Sequence, residues 1–167
     1  YLLHVTTTPC VAYITRTDEF DCGIMISASH NPFYDNGIKL INSKGEKADG
    51  DIIARLEDYL DGKYEDVPFA LRDKIAKTVD YVSGRNRYLG YLISIASHSY
   101  KNLKIGLDCA NGASWMLANS LFSALGAQTV VVGASPDGLN VNQDCGSTHI
   151  ENLCRLVKEK HLDMGFA

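Results

Sequence analysis

The sequence contains no uninterrupted apolar stretch approaching the ~20 residues that a membrane-spanning helix needs, so a transmembrane reading is excluded. It has no excess of positive charge either: 16 Lys and Arg stand against 20 Asp and Glu, the net charge is −4, and the cations are scattered along the chain. Without a basic stripe to neutralise a phosphate backbone, nucleic acid is not an expected partner. The cysteines, Cys10, Cys22, Cys109, Cys145 and Cys154, are odd in number and include no C-x-x-C pair. A chain of 167 residues can build a core without covalent staples, which points to free thiols in a reducing, cytoplasmic compartment. Low-complexity tracts and internal repeats are missing as well. What remains is 46% hydrophobic and 22% charged, the balance of a soluble folded domain. A start methionine and a polar tail are also missing. The chain opens Tyr1-Leu2-Leu3-His4-Val5 and closes Asp163-Met164-Gly165-Phe166-Ala167, so it reads as a piece of something longer.

Hydrophobic spacing divides the chain into two parts. In the first, Thr8-Pro9 places a capping hydroxyl before a proline, and a brief helix is expected over about 9 to 17. Gly23-Ile24-Met25-Ile26-Ser27 is a β-branched run that reads as a buried strand. Asp35-Asn36-Gly37 is a turn signal, and Ile38-Lys39-Leu40-Ile41 resumes an extended pattern after it. The residues from Ala28 to Gly37 are therefore a loop held between two strands. Asp51 is a candidate cap for a helix with Ile52, Ile53, Leu56, Tyr59 and Leu60 inward, ending at Gly62. Residues 63 to 83, with mixed charge and Pro68, read as a connection, and a boundary is placed near residue 80.

The second part alternates. A helix through Tyr88, Leu89, Leu92, Ile95 and Ala96 precedes the strand Leu103 to Asp108. A helix through Leu117, Leu121 and Leu125 precedes the strand Thr129 to Val132. Thr148 and Glu151 have capping-box spacing before a helix through Leu153 and Val157, and Leu162 to Ala167 begins a further strand. Such alternation implies a parallel sheet covered on both faces. The expected class is α/β: two α/β/α three-layer units with mostly parallel mixed sheets, residues 1–80 and 81–167, the first lacking its N-terminal part.

Ser27-Ala28-Ser29-His30-Asn31-Pro32 follows the carboxyl end of a strand, where open α/β sheets place ligands. Pro32 restricts Asn31 to extended conformations, so the loop has a defined shape. A serine that accepts a phosphoryl group mainly needs cations around it, because that transfer is governed by positioning and charge stabilisation. His30 and Lys39 are two candidates. The plain alternative is that Ser29 satisfies a backbone N–H while His30 and Lys39 are solvated. Asp108-Cys109-Ala110-Asn111-Gly112 lies between a strand and a helix but has neither G-x-G-x-x-G nor a P-loop lysine, so it reads as packing rather than a nucleotide site.

The string Gly23-Ile24-Met25-Ile26-Ser27-Ala28-Ser29-His30-Asn31-Pro32-Phe33-Tyr34-Asp35-Asn36-Gly37-Ile38-Lys39 strongly resembles the active-site segment of the α-D-phosphohexomutases, in the form found in their phosphoglucosamine mutase branch. Thr8 to Tyr13, Asp108 to Ala113 and Asn140 to Gly146 also match the family pattern. The resemblance implies that Ser29 is carried as phosphoserine. It would give its phosphoryl group to one hydroxyl of glucosamine 6-phosphate and retrieve the other phosphate from the bisphosphorylated intermediate, yielding glucosamine 1-phosphate on the bacterial route to cell-wall precursors. By position, His30 and Lys39 match the residues that offset charge on the transferring group. The family's Mg²⁺ touches a phosphoserine oxygen, here that of Ser29, and is otherwise held by aspartates of a D-G-D-x-D-R loop. No such loop occurs in this sequence, so the resemblance implies an inactive fragment of an active parent; the family's opening strands are missing too, which is expected to leave an unpaired strand edge and an apolar face prone to self-association or domain exchange. Two further readings stay open: a phosphomannomutase or phosphoglucomutase of the same superfamily, and a non-catalytic anion-binding α/β module.

Overall fold

The computed structural model describes residues 1–63 and 67–167. Helix α1 (Thr8–Thr17) lies over a two-stranded antiparallel hairpin of β1 (Cys22–Ile26) and β2 (Ile38–Asn42), and α2 (Gly50–Leu60) follows. After a 3₁₀ turn at Arg72–Lys74 the chain enters α3 (Val82–Ser94). The second unit then runs β3 (Lys104–Asp108), a 3₁₀ turn at Ala113–Met116, α4 (Ala118–Ala124), β4 (Gln128–Val132), α5 (Glu151–Glu159) and β5 (Met164–Phe166). Its three strands are all parallel, in the order β4-β3-β5.

Alternation along β3 explains why two helices can cover this sheet. Ile105 and Leu107 are buried with Ala118, Phe122 and Val131 on the α4 side. Gly106, between them, faces Leu153 and Val157 of α5. Successive strand residues point to opposite faces, so α4 and α5 sandwich the sheet. The α/β class and the helix-covered parallel sheet are as expected. The first unit differs: its strands are antiparallel, and the parallel pairing found there is an isolated bridge between Leu2 and Asp80.

The expected burial of β1 is also corrected. Gly23 is buried against Thr15 and Val11 of α1, whereas Ile24 and Ile26 are 59% and 70% exposed, and Ile38 opposite Ile26 is 72% exposed. A two-stranded hairpin has two faces and α1 covers one.

Helix starts were less legible. Thr7, not Thr8, takes the extended cap position of α1, and Pro9 sits in the first turn, where a missing N–H is no loss. Asp49 rather than Asp51 occupies the cap position of α2, Asp51 falling in its first turn. The capping box at Thr148 does not form: the chain enters α5 through a turn in which the His149 N–H donates to the Gly146 carbonyl, and Ile150 stands at the cap.

The two parts share a core. Cys10 and Ile14 of α1 are buried together with Tyr88 of α3 and Leu117. At its edge Tyr13 stacks on Tyr91 with ring centroids 4.4 Å apart. Arg87 and Tyr81 both bind the Asp18 carboxylate at the end of α1. Helix α3 is thereby fastened to α1 by apolar burial and by a charge-assisted pair.

Candidate functional site

The loop between β1 and β2 is closed by an extra rung of the hairpin ladder, in which the Ser27 N–H donates to the Gly37 carbonyl at 2.8 Å. Gly37 is required there, because a Cβ would come within 2.8 Å of the Ser27 carbonyl oxygen. Inside the loop the Asn31 N–H donates to the Ala28 carbonyl at 3.3 Å, and the Asn31 side-chain amide donates to Asp35 at 3.0 Å. This tight turn carries Ser29 with φ at +64°. The left-handed region disfavours a residue with a Cβ by roughly 1–2 kcal/mol. The Ser29 N–H, donating to Ser27 Oγ at 3.1 Å, helps hold it.

Ser29 and His30 are both exposed at the tip. Lys39 is half-buried on β2 in register with Met25, on the hairpin face that carries Gly23 and Ile41 and meets α1. Ser29 and His30 are thus neighbours in one turn. Among the described residues no hydrogen bond or ion pair engages the Lys39 ammonium or joins it to either of them.

A second cluster stands at the carboxyl ends of β3 and β4. Asp108 is 6% exposed, and its two carboxylate oxygens accept from the Ala110 N–H at 2.9 Å and the Gly146 N–H at 2.8 Å. Asn111 accepts from the Ser135 N–H and donates to the Asn140 carbonyl. One buried carboxylate and one amide therefore tie the loop after β3 to the long connection between β4 and α5, which makes this region a strut, as the packing reading holds. Beside it a cleft of about 350 Å³ opens between these loops and α5, with Asn152 and Arg155 on its wall. Burial pushes the thiols of Cys109 and Cys145 up from their ordinary pKa.

The serine loop and this strut meet. The Asn142 side-chain amide donates to the Asn31 backbone carbonyl at 3.1 Å, across 111 residues of sequence. Local spacing carries no signal for such a contact.

Among the described residues no three His, Cys, Asp or Glu side chains converge as a metal site. The described residues therefore do not by themselves make a Mg²⁺ site; Ser29 offers one oxygen at an exposed loop tip.

Comparison with known proteins agrees with the architecture. Residues 1–66 match the family model for the phosphoglucomutase/phosphomannomutase α/β/α domain I. Over all 167 residues the chain is 62% identical to a phosphoglucosamine mutase of Lachnospira eligens and 57% identical to one of Lachnoclostridium phytofermentans. It covers 37% of the length of each. Among solved structures, a phosphoglucomutase/phosphomannomutase family protein from Burkholderia thailandensis superimposes with a TM-score of 0.68 at 24% identity, over 88% of this chain and 31% of that one. An Aspergillus fumigatus N-acetylphosphoglucosamine mutase, solved with GlcNAc-6P and magnesium, superimposes with a TM-score of 0.52 at 18% identity, over 89% of this chain and 42% of that one. These two likenesses show the shared fold.

Proposed function

We propose, from a chain whose residues 1–66 match the phosphoglucomutase/phosphomannomutase domain I model and whose full length is similar to phosphoglucosamine mutases, that the whole protein interconverts glucosamine 6-phosphate and glucosamine 1-phosphate. The observation that carries this reading is Ser29: an exposed hydroxyl held at a left-handed φ in a hydrogen-bonded turn, within a serine-loop string that resembles the phosphosugar mutases. Residues kept in sparsely populated backbone conformations cluster at functional sites.

In this mechanism phosphorylated Ser29 loses its phosphoryl group to the free 1-hydroxyl of glucosamine 6-phosphate. The Ser29 Oγ–P bond breaks as the sugar O–P bond forms, and the proton of the attacking hydroxyl ends on Ser29 Oγ, to be passed to the 6-oxygen when that phosphoryl group returns. The resulting bisphosphate returns its 6-phosphoryl group to Ser29, leaving glucosamine 1-phosphate and the enzyme as it began. The chemistry asks the protein for positioning and for charge opposite the transferring oxygens. His30 sits next to Ser29 in the turn, and Lys39 lies on the adjoining strand; both are assigned that role. A Mg²⁺ ion, when bound, would neutralise charge on the phosphoryl oxygens, and of these 167 residues phosphorylated Ser29 would offer it one oxygen.

The same reading divides the chain at about residue 80 into a serine-loop unit, 1–80, and a second unit, 81–167. It places the protein in the cytoplasm, where phosphosugars are made; among the described residues no helix is long and apolar enough to cross a membrane. The domain I family description favours a second possibility, a phosphoglucomutase or phosphomannomutase with the same serine chemistry. The deciding experiment is steady-state turnover of the full-length protein on glucosamine 6-phosphate, glucose 6-phosphate and mannose 6-phosphate, primed with the matching bisphosphates. A kcat/KM at least about a hundredfold higher for the amino sugar is expected. A preference for either neutral sugar would replace this reading with the second one.

A further inference from the structure

We propose that Asn142 is a positioning residue for the serine loop, fixing Ser29 against the carboxyl end of the second unit's parallel sheet. The inference rests on the reading of Ser29 as phosphoryl carrier. Its starting point is the donation from the Asn142 side-chain amide to the Asn31 carbonyl at 3.1 Å.

The donor is held rigidly. The Asn142 N–H donates to the Ala110 carbonyl at 2.9 Å, and Ala110 in turn donates its N–H to Asp108 Oδ1. Gly146, four residues on, donates to the other Asp108 oxygen and has no room for a Cβ, which would lie 2.7 Å from that of Ala110. Asp108 is the last residue of β3, buried in the sheet end. Asn142 itself has φ at +58°, a conformation that asparagine adopts more readily than most residues.

The acceptor is equally constrained. The Asn31 N–H and side-chain amide are already engaged within the loop, to Ala28 and Asp35, and Pro32 restricts its backbone. Holding the Asn31 carbonyl therefore orients the whole turn from Ala28 to Asn31, which carries Ser29 and His30. The loop's other described hydrogen bonds are local, and its hairpin is covered on one face only. Among the described residues, the Asn142 donation is the hydrogen bond that ties this loop to the second unit.

Phosphoryl transfer is sensitive to such placement, since displacement of a reacting group by about 1 Å can lower a rate on the order of a hundredfold. The test uses Asn142→Asp and Asn142→Gly in the full-length protein. Both tolerate the left-handed backbone; aspartate turns an acceptor oxygen toward the Asn31 carbonyl and glycine removes the side chain. Expected is a fall in kcat of about ten- to a hundredfold with KM changed less than about twofold, an unchanged melting temperature, and faster amide exchange in a peptide spanning residues 28–36. Wild-type kcat, a loss confined to KM, or wild-type exchange in that peptide would each overturn the inference. Ser29→Ala is measured in parallel. Turnover retained by that variant removes the carrier reading and the positioning role with it. An inactive Ser29→Ala beside fully active Asn142 variants removes the positioning role alone.

Discussion

Gly106 of β3 and Gly165 of β5 are register partners, and α5 rests on the trough they form. A Cβ at Gly165 would lie 2.8 Å from a methyl of Val157 and 3.1 Å from Leu153; one at Gly106 would lie 3.1 Å from Leu162 and 3.2 Å from Leu153. Overpacking a close helix–sheet contact costs about 1–3 kcal/mol. Gly165→Val is expected to destabilise by that amount, and alanine at Gly165 to be worse than alanine at Gly106. Urea unfolding of the variants checks this, and equal stability of Gly165→Val and wild type would show that α5 yields freely.

Lys39 lies on the hairpin strand that leaves the serine loop, and among the described residues its ammonium is not committed to an ion pair. If it offsets charge that develops during transfer, Lys39→Ala in the full-length protein lowers kcat by roughly ten- to a thousandfold and leaves KM nearly unchanged. A rise in KM alone would make it a ground-state binding residue.

The thiols differ by environment. Burial raises the pKa of Cys10, with the charge of Arg85 opposing, and burial likewise raises Cys109, whereas Cys22 and Cys154 are exposed. A disulfide-exchange reagent at mildly alkaline pH is expected to modify Cys22 and Cys154 quickly and the buried pair only on unfolding. Because the raised thiols stay protonated in the fold but ionise near pH 8.5 when unfolded, their contribution to stability is present below that pH and lost as pH rises through the folded values. A urea midpoint that increases between pH 8 and 10 would contradict the sign.

The hairpin face bearing Ile24, Ile26 and Ile38 is open to solvent in the described structure, as are Ile52, Leu56 and Leu60 of α2. Contiguous apolar surface of this kind favours association. The isolated 167-residue chain is expected to self-associate or exchange domains, with Ile26→Lys reducing it. Light scattering that reports a clean monomer at high concentration would oppose this.

The parallel sheet was legible because β3, β4 and β5 are separated by helical periodicity of ordinary length, a pattern that only a crossover fold satisfies. The exposure of β1 was not, since a five-residue apolar run reads alike whether one face or both are covered; only the number of neighbouring strands decides. Thr148 misled because the capping-box spacing is local while the turn through Gly146 is set by Asp108, 38 residues earlier. The serine loop was legible as a loop from Asn36-Gly37 and Pro32, and as chemistry only through its resemblance to a family. Its tie to Asn142 was invisible, because a side-chain amide reaching a backbone carbonyl 111 residues away leaves no trace in spacing.

The phosphorylation of Ser29 is the heart of the account, and peptide mass spectrometry of the full-length protein tests it most directly. After incubation with glucosamine 1,6-bisphosphate, the peptide containing Ser29 is expected to carry one phosphoryl group, located at Ser29, which disappears when an excess of glucosamine 6-phosphate is added and bisphosphate appears in solution. Label on another residue, or a phosphate on Ser29 that the sugar phosphate does not remove, would contradict it.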